Sequence, residues 1–146
     1  MRESVQEMWA LRVEHINVYR DRIAAMVCLS DERFAFTSEK IIEECLKYCS
    51  NLLSHTCVND FGKTFGAVAV ETSTPHLLEH MIIEEESSQE VEMATQAVIT
   101  YVGKTSWTDR ENLKACIELN YANDLQTLKA LRRASERLNA ILLSAV

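Results

Sequence analysis

An α+β fold, with helices packed on a mixed or antiparallel sheet, is what this sequence predicts, and three features predict it. Segments that alternate apolar and polar residues are interleaved with segments of helical spacing. The segments follow the order β-β-α-(β)-α-β-β-α, which suits a sheet with helices laid on it. Only three glycines and one proline occur among 146 residues, so most of the chain is regular structure joined by short loops. A chain of 146 residues without repeat, linker or low-complexity tract is read as one domain, residues 1–146.

Residues 9–19 form the first strand. Trp9, Leu11 and Val13 alternate with polar neighbours, and Ile16 and Val18 continue one step out of phase, which predicts a bulge. The apolar run 23–29 is the second strand. Thr37 is placed to cap a helix over 38–53, whose Ile41, Ile42, Cys45, Leu46, Cys49, Leu52 and Leu53 follow helical spacing. Asn59, Asp60 and Gly62 mark a turn, and 65–70 suits a short strand. Ser73 or Thr74 caps the next helix, Pro75 suits its first turn, and it runs to about residue 86. A polar stretch over 87–92 follows. The β-branched run 96–102 reads as a strand, 103–109 as a turn, and 112–121 as an alternating strand. A last helix over about 124–143 carries Leu125, Leu128, Leu131, Leu138 and Leu142.

Composition narrows the function. A formal net charge of -7 disfavours nucleic acid, whose phosphates need a positive partner, and is compatible with a cationic ligand. No apolar run reaches the ~18 residues of a membrane span. The first ten residues are polar and charged, unlike a signal peptide. Five cysteines form no C-x-x-C pair, so free thiols and a cytoplasmic location are expected, with Cys45 and Cys49 as small buried hydrophobes.

His76-Leu77-Leu78-Glu79-His80 carries the chemistry. It reads H-x-x-E-H, the inverted zinc-hydrolase signature. On a helix, positions i and i+4 share a face, so His76 and His80 can reach one ion. Glu79 lies beside them as a candidate general base. Leu77, Leu78, Met81 and Ile82 point to the opposite side. The pattern admits two readings: a site for zinc or another divalent transition metal, and a polar helix face without a role.

A catalytic zinc site takes three protein ligands and keeps one position open. Glu84 continues the i, i+4 series but lies about 12 Å along the axis from His76. Glu118, the one acidic residue of the 112–121 strand, is the preferred third ligand. It alternates against Leu113, Ile117 and Tyr121, so it serves only if the histidine helix approaches that other face. Otherwise it faces solvent. Glu85, Glu86, Glu90 and Glu92 read as a solvated acidic face. His15 and His55 lack spaced partners and read as structural residues.

Four motifs carry a family resemblance. They are His55-Thr56-Cys57, then Thr74-Pro75-His76-Leu77-Leu78-Glu79-His80 with Glu84, then Val102-Gly103-Lys104-Thr105, then Ile117-Glu118-Leu119-Asn120-Tyr121. In order and spacing, over about residues 13–142, the chain resembles the N-terminal domain of cyanophycin synthetase. The resemblance implies a sandwich of the LuxS and metallopeptidase-like group. It implies His76, His80 and Glu118 as metal ligands and Glu79 as general base. The implied substrate is a peptide-like, arginine-rich polymer cut at a peptide or amide bond. The ligase domains of that family lie outside this sequence, so a ligase protein is an expected partner. The rival expectation is a module that binds such a polymer without cutting it. A third is an assembly subunit that dimerises through a helix face.

Overall fold

In this computed structural model, which describes residues 8–93 and 102–146, the two halves of the chain contribute to one sheet. In chain order the elements are β1 (Leu11–Val18), β2 (Arg22–Leu29), α1 (Glu39–Leu46), β3 (Thr56–Asn59), β4 (Gly62–Thr64), α2 (Thr74–Met93), β5 (Gly103–Asp109), β6 (Lys114–Asn120) and α3 (Asp124–Ala145). The sheet runs β1-β2-β6-β5 and every pairing in it is antiparallel; β3 and β4 make a separate hairpin. The α+β expectation is therefore met, and the sheet is antiparallel throughout. The predicted bulge is present: the β1–β2 register shifts between Val13 and His15.

One face of the sheet builds the core. Ile23, Ala25 and Val27 of β2 and Ala115, Ile117 and Leu119 of β6 lie there. They are covered by Ile41, Ile42 and Cys45 of α1, by Leu77, Leu78, Met81 and Ile82 of α2, and by Leu131, Leu138 and Leu142 of α3. Helix α2 touches α3, β5 and β6. Leu125, in the first turn of α3, stays 73% exposed, so the apolar stripe of that helix begins later than its sequence suggested.

Several elements differ from expectation, each for a local reason. Ser38, not Thr37, caps α1, accepting from the Ile41 N–H at 3.4 Å. The Thr37 hydroxyl instead donates to the Ala69 carbonyl at 2.6 Å and accepts from the Thr72 N–H at 3.0 Å. Helix α1 stops at Leu46 rather than residue 53. Beyond it the Asn51 N–H leaves the helical ladder for a Glu84 carboxylate oxygen at 3.1 Å. Cys49 and Leu52 still reach the core from the loop.

The stretch predicted as a strand at 65–70 is a pair of 3-10 turns, Phe65–Ala67 and Ala69–Glu71. The polar stretch at 87–92 belongs to α2, which continues to Met93. Most of the 96–102 strand lies outside the described residues. The segment read as a turn at 103–109 is strand β5. Its alternation is mostly between polar side chains, with Gly103, Thr105 and Trp107 half-buried against exposed Lys104, Ser106 and Thr108. An edge strand can be that polar because one of its sides meets water.

Two of the four acids of the expected solvated face are not solvated. Glu86 is buried, and Glu85 lies 3.6 Å from Arg133 and 3.7 Å from Arg137 of α3. All five cysteines are unpaired. Cys45 and Cys49 are buried as expected, and burial pushes both thiols up to about 12. Among the described residues no helix is long and apolar enough to cross a membrane.

Leu78 is fully buried under the sheet. Leu78→Ala is expected to lower unfolding stability by about 2–5 kcal/mol through lost transfer energy and a residual cavity. Urea denaturation measures it; a loss within the scatter of surface substitutions would contradict this packing.

Candidate metal centre

The first turn of α2 is anchored before its functional residues begin. The Thr74 N–H donates to the Ala35 carbonyl at 2.9 Å, and the Thr74 hydroxyl donates to the Phe34 carbonyl. The Ser73 hydroxyl accepts from the His76 N–H at 3.3 Å, the capping role expected of it. These bonds set the height and rotation of the helix. His76, Glu79 and His80 then project away from Leu77, Leu78, Met81 and Ile82, as the spacing predicted.

They do not project into water. Glu79 and His80 are 4% and 3% exposed. The segment between α1 and α2 closes over them. Buried Phe65 lies against both rings, its centroid 4.4 Å from His80 and 5.2 Å from His76. Strand β3 brings Cys57 beside them, with Sγ 3.5 Å from His76 Nε2. One donor atom each from Cys57, His76 and His80 lies within 4.8 Å of the other two, so this group could hold a metal ion.

Three observations bear on the fit. A tetrahedral ion with bonds of about 2.0–2.3 Å keeps its ligands about 3.3–3.8 Å apart, and the Cys57–His76 pair at 3.5 Å already has that spacing. His80 Nε2 is buried without a hydrogen-bond partner, an orphan polar atom that native interiors rarely keep. Thiolate and imidazole are the donors that zinc favours, and three of them leave one position open.

Each ring has its far nitrogen occupied. His76 Nδ1 lies 2.8 Å from the Thr72 hydroxyl, which leaves Nε2 toward Cys57. His80 Nδ1 lies 3.2 Å from His55 Nδ1, which leaves Nε2 toward the centre. Burial, then the neighbouring His76 and His55, lowers His80 to about 3, and burial lowers His76 as well. Both rings are therefore neutral at pH 7, the form that ligates metal.

Glu79 is set beside them. Its Oε2 lies 3.4 Å from His80 Nε2, and its Oε1 accepts from the Thr105 hydroxyl at 2.7 Å. Burial raises this carboxyl above its usual range, and the Thr105 bond pulls it partly back. Gly103 makes room for it: a Cβ there would stand 2.6 Å from Glu79 Cγ and 2.9 Å from Oε2. An open cleft of about 480 Å³ reaches the group, lined among others by Ser73, Ile83, Lys104 and Thr105.

The structure does not bring Glu118 to the histidines. Thr105, which bonds Glu79, stands opposite Ile117 in the β5–β6 register, so α2 lies on the Ile117 face of the sheet. Glu118, one residue on, points to the other face. It is 42% exposed there, 4.0 Å from Arg22. The condition attached to it as a ligand is not met, and Cys57 is the third donor of the group that could hold an ion. Glu84 does not reach the centre either; its Oε1 lies 3.1 Å from His55 Nε2. His55, read as structural, thus belongs to the site, whereas His15 is exposed and 2.9 Å from the Asn17 side chain. The signal for His55 and Cys57 was their i, i+2 spacing, which puts two side chains on one face of an extended segment.

Comparison with protein-family models, with curated proteins and with solved structures finds no match for this chain.

His80 holds its proton far less well when folded than its ordinary value of 6.5 implies. The unfolded chain takes up that proton first as pH falls. This ring's contribution to the stability of the metal-free protein is therefore complete above about 6.5 and drains away toward about 3. Urea midpoints across that window are expected to fall less steeply in His80→Gln; an unchanged slope would count against a neutral buried ring. Gly103→Ala is expected to displace Glu79 while leaving the fold intact, seen as chemical-shift changes confined to α2 and β5. Unchanged Glu79 signals would contradict the close approach.

Proposed function

We propose that this protein is a metal-dependent hydrolase of a peptide or amide bond, with Cys57, His76 and His80 holding the ion and Glu79 as general base. The observation that carries the reading is the orphan His80 Nε2, buried beside a thiol, a second imidazole and a carboxylate at the foot of an open cleft. When bound, zinc or another divalent ion supplies Lewis acidity and a water acidified to a pKa near ~7.

The chain's own residues do the rest. Thr105 fixes Oε1 of Glu79, so Oε2 is the atom free to accept the proton of the attacking water. Its raised affinity for protons suits a base that must also give the proton back. Glu79 then delivers that proton to the leaving amine nitrogen. Phe65 and β5 keep bulk water from the inner side of the rings. Lys104 and Ser73 at the cleft wall offer hydrogen bonds to a polar substrate backbone. The resemblance to the cyanophycin synthetase N-terminal domain supports an arginine-rich, peptide-like polymer as substrate, and the net charge of -7 is compatible with it. The same resemblance supports the finer LuxS and metallopeptidase-like assignment of the sandwich.

A second reading rests on the 3.5 Å separation of Cys57 Sγ and His76 Nε2, with Thr72 on the far ring nitrogen. That arrangement suits a thiol nucleophile with a histidine base. Cys57→His separates the two. It keeps a ligand and removes the nucleophile, so it preserves activity in the metal reading and abolishes it in the thiol reading.

Elemental analysis of protein purified without chelator is expected to find one zinc per chain, lost in His76→Ala. Glu79→Gln is expected to keep the metal and to lose at least about 10²-fold in hydrolysis of an arginine-bearing poly-aspartate. Wild-type protein without bound divalent metal, even after zinc is supplied, would overturn the reading.

A further inference from the structure

Two residues behind the metal group form a continuous line with His80. Glu84 Oε1 lies 3.1 Å from His55 Nε2, and His55 Nδ1 lies 3.2 Å from His80 Nδ1. Glu84 stands one turn beyond His80 on α2, and His55 spans the gap from the loop before β3. The carboxylate is itself anchored, since Oε1 also accepts from the Asn51 N–H at 3.1 Å. Both partners are well enclosed, with His55 and Glu84 side chains 13% and 10% exposed.

The proton positions follow from what each atom can do. An ionised carboxylate only accepts, so His55 carries its proton on Nε2. A neutral His55 then has a bare Nδ1. Two facing Nδ1 atoms need one proton between them, so it sits on His80. His80 Nε2 is left with a lone pair, and that is the buried atom without a partner. The competing arrangement puts a second proton on His55. It would force the proton of His80 onto Nε2, the atom 3.4 Å from Glu79 Oε2, and would block ligation there.

We propose that Glu84 and His55 are positioning residues that hold His80 as the Nδ1–H tautomer and so aim its Nε2 lone pair at the metal position. The proposal rests on the metal reading above for its purpose, but the tautomer itself exists without metal. It assigns a role to Glu84 other than ligation. It also explains why a helical turn is interrupted at Asn51: the freed N–H fixes the carboxylate at the head of the line.

The test uses the full chain with 15N-labelled histidine. Long-range proton–nitrogen spectra of the metal-free protein at neutral pH are expected to show His80 as Nδ1–H and His55 as Nε2–H. Glu84→Leu removes the acceptor that holds the His55 proton on Nε2, and is expected to let His80 shift toward Nε2–H. Zinc affinity, measured by competition with a chromophoric chelator, is expected to fall about 10–100-fold in Glu84→Leu and in His55→Ala. A purely structural Glu84 would leave the tautomer unmoved. Wild-type His80 found as Nε2–H, or two folded variants that bind zinc as tightly as wild type, would overturn the proposal. If wild type binds no zinc yet shows the Nδ1–H tautomer, the metal reading fails and the positioning line stands.

Discussion

The candidate site depends on the burial of one helix from both sides. Leu77, Leu78, Met81 and Ile82 press α2 against the sheet and its neighbours. On the opposite side Glu79, His80 and Glu84 are also buried. A buried polar group left unpaired costs about 1–3 kcal/mol, more if charged. The second side of α2 therefore has to be met by hydrogen-bonding partners, and the chain supplies them from three directions. Thr72 meets His76, Thr105 meets Glu79, and His55 meets both His80 and Glu84. Among the described residues, His80 Nε2 is left over, next to the cleft.

The enclosure is built mostly from the segment between α1 and α2, which is poor in regular structure. Three 3-10 turns and a short hairpin suffice because they carry Phe65 and Cys57 to the rings. Desolvation then acts on both kinds of titratable group in the useful direction. It favours the neutral imidazole, which is the ligand form, and it raises the carboxyl toward the range of a working base. Strand β5 completes the wall with its smallest residue, Gly103, against the Glu79 side chain.

Much of this was legible in the chain, and the misses have physical causes. The helical spacing of His76 and His80 was read correctly because a helix fixes which residues share a face, whatever surrounds it. The bulge in β1 was visible as a phase slip. The third donor was misjudged for the converse reason. Glu118 was the conspicuous acid, but which face of the sheet receives α2 is a matter of packing. The residues that do approach the rings are Cys57, in a four-residue strand too short to show alternation, and His55, just before it. The end of α1 was missed because no glycine or proline marks it. A carboxylate from α2 captures the Asn51 N–H instead.

The sequence alone determined the α+β class, the core stripes, the turn at Asn59 to Gly62 and the two imidazoles with the glutamate between them. Periodicity is a local property, and local properties are written along the chain. Only the tertiary structure decided which carboxylate stays outside, which thiol comes inside, and which nitrogen of His80 is left without a partner. Those depend on atoms 19 to 29 positions apart meeting in a space from which water has been removed.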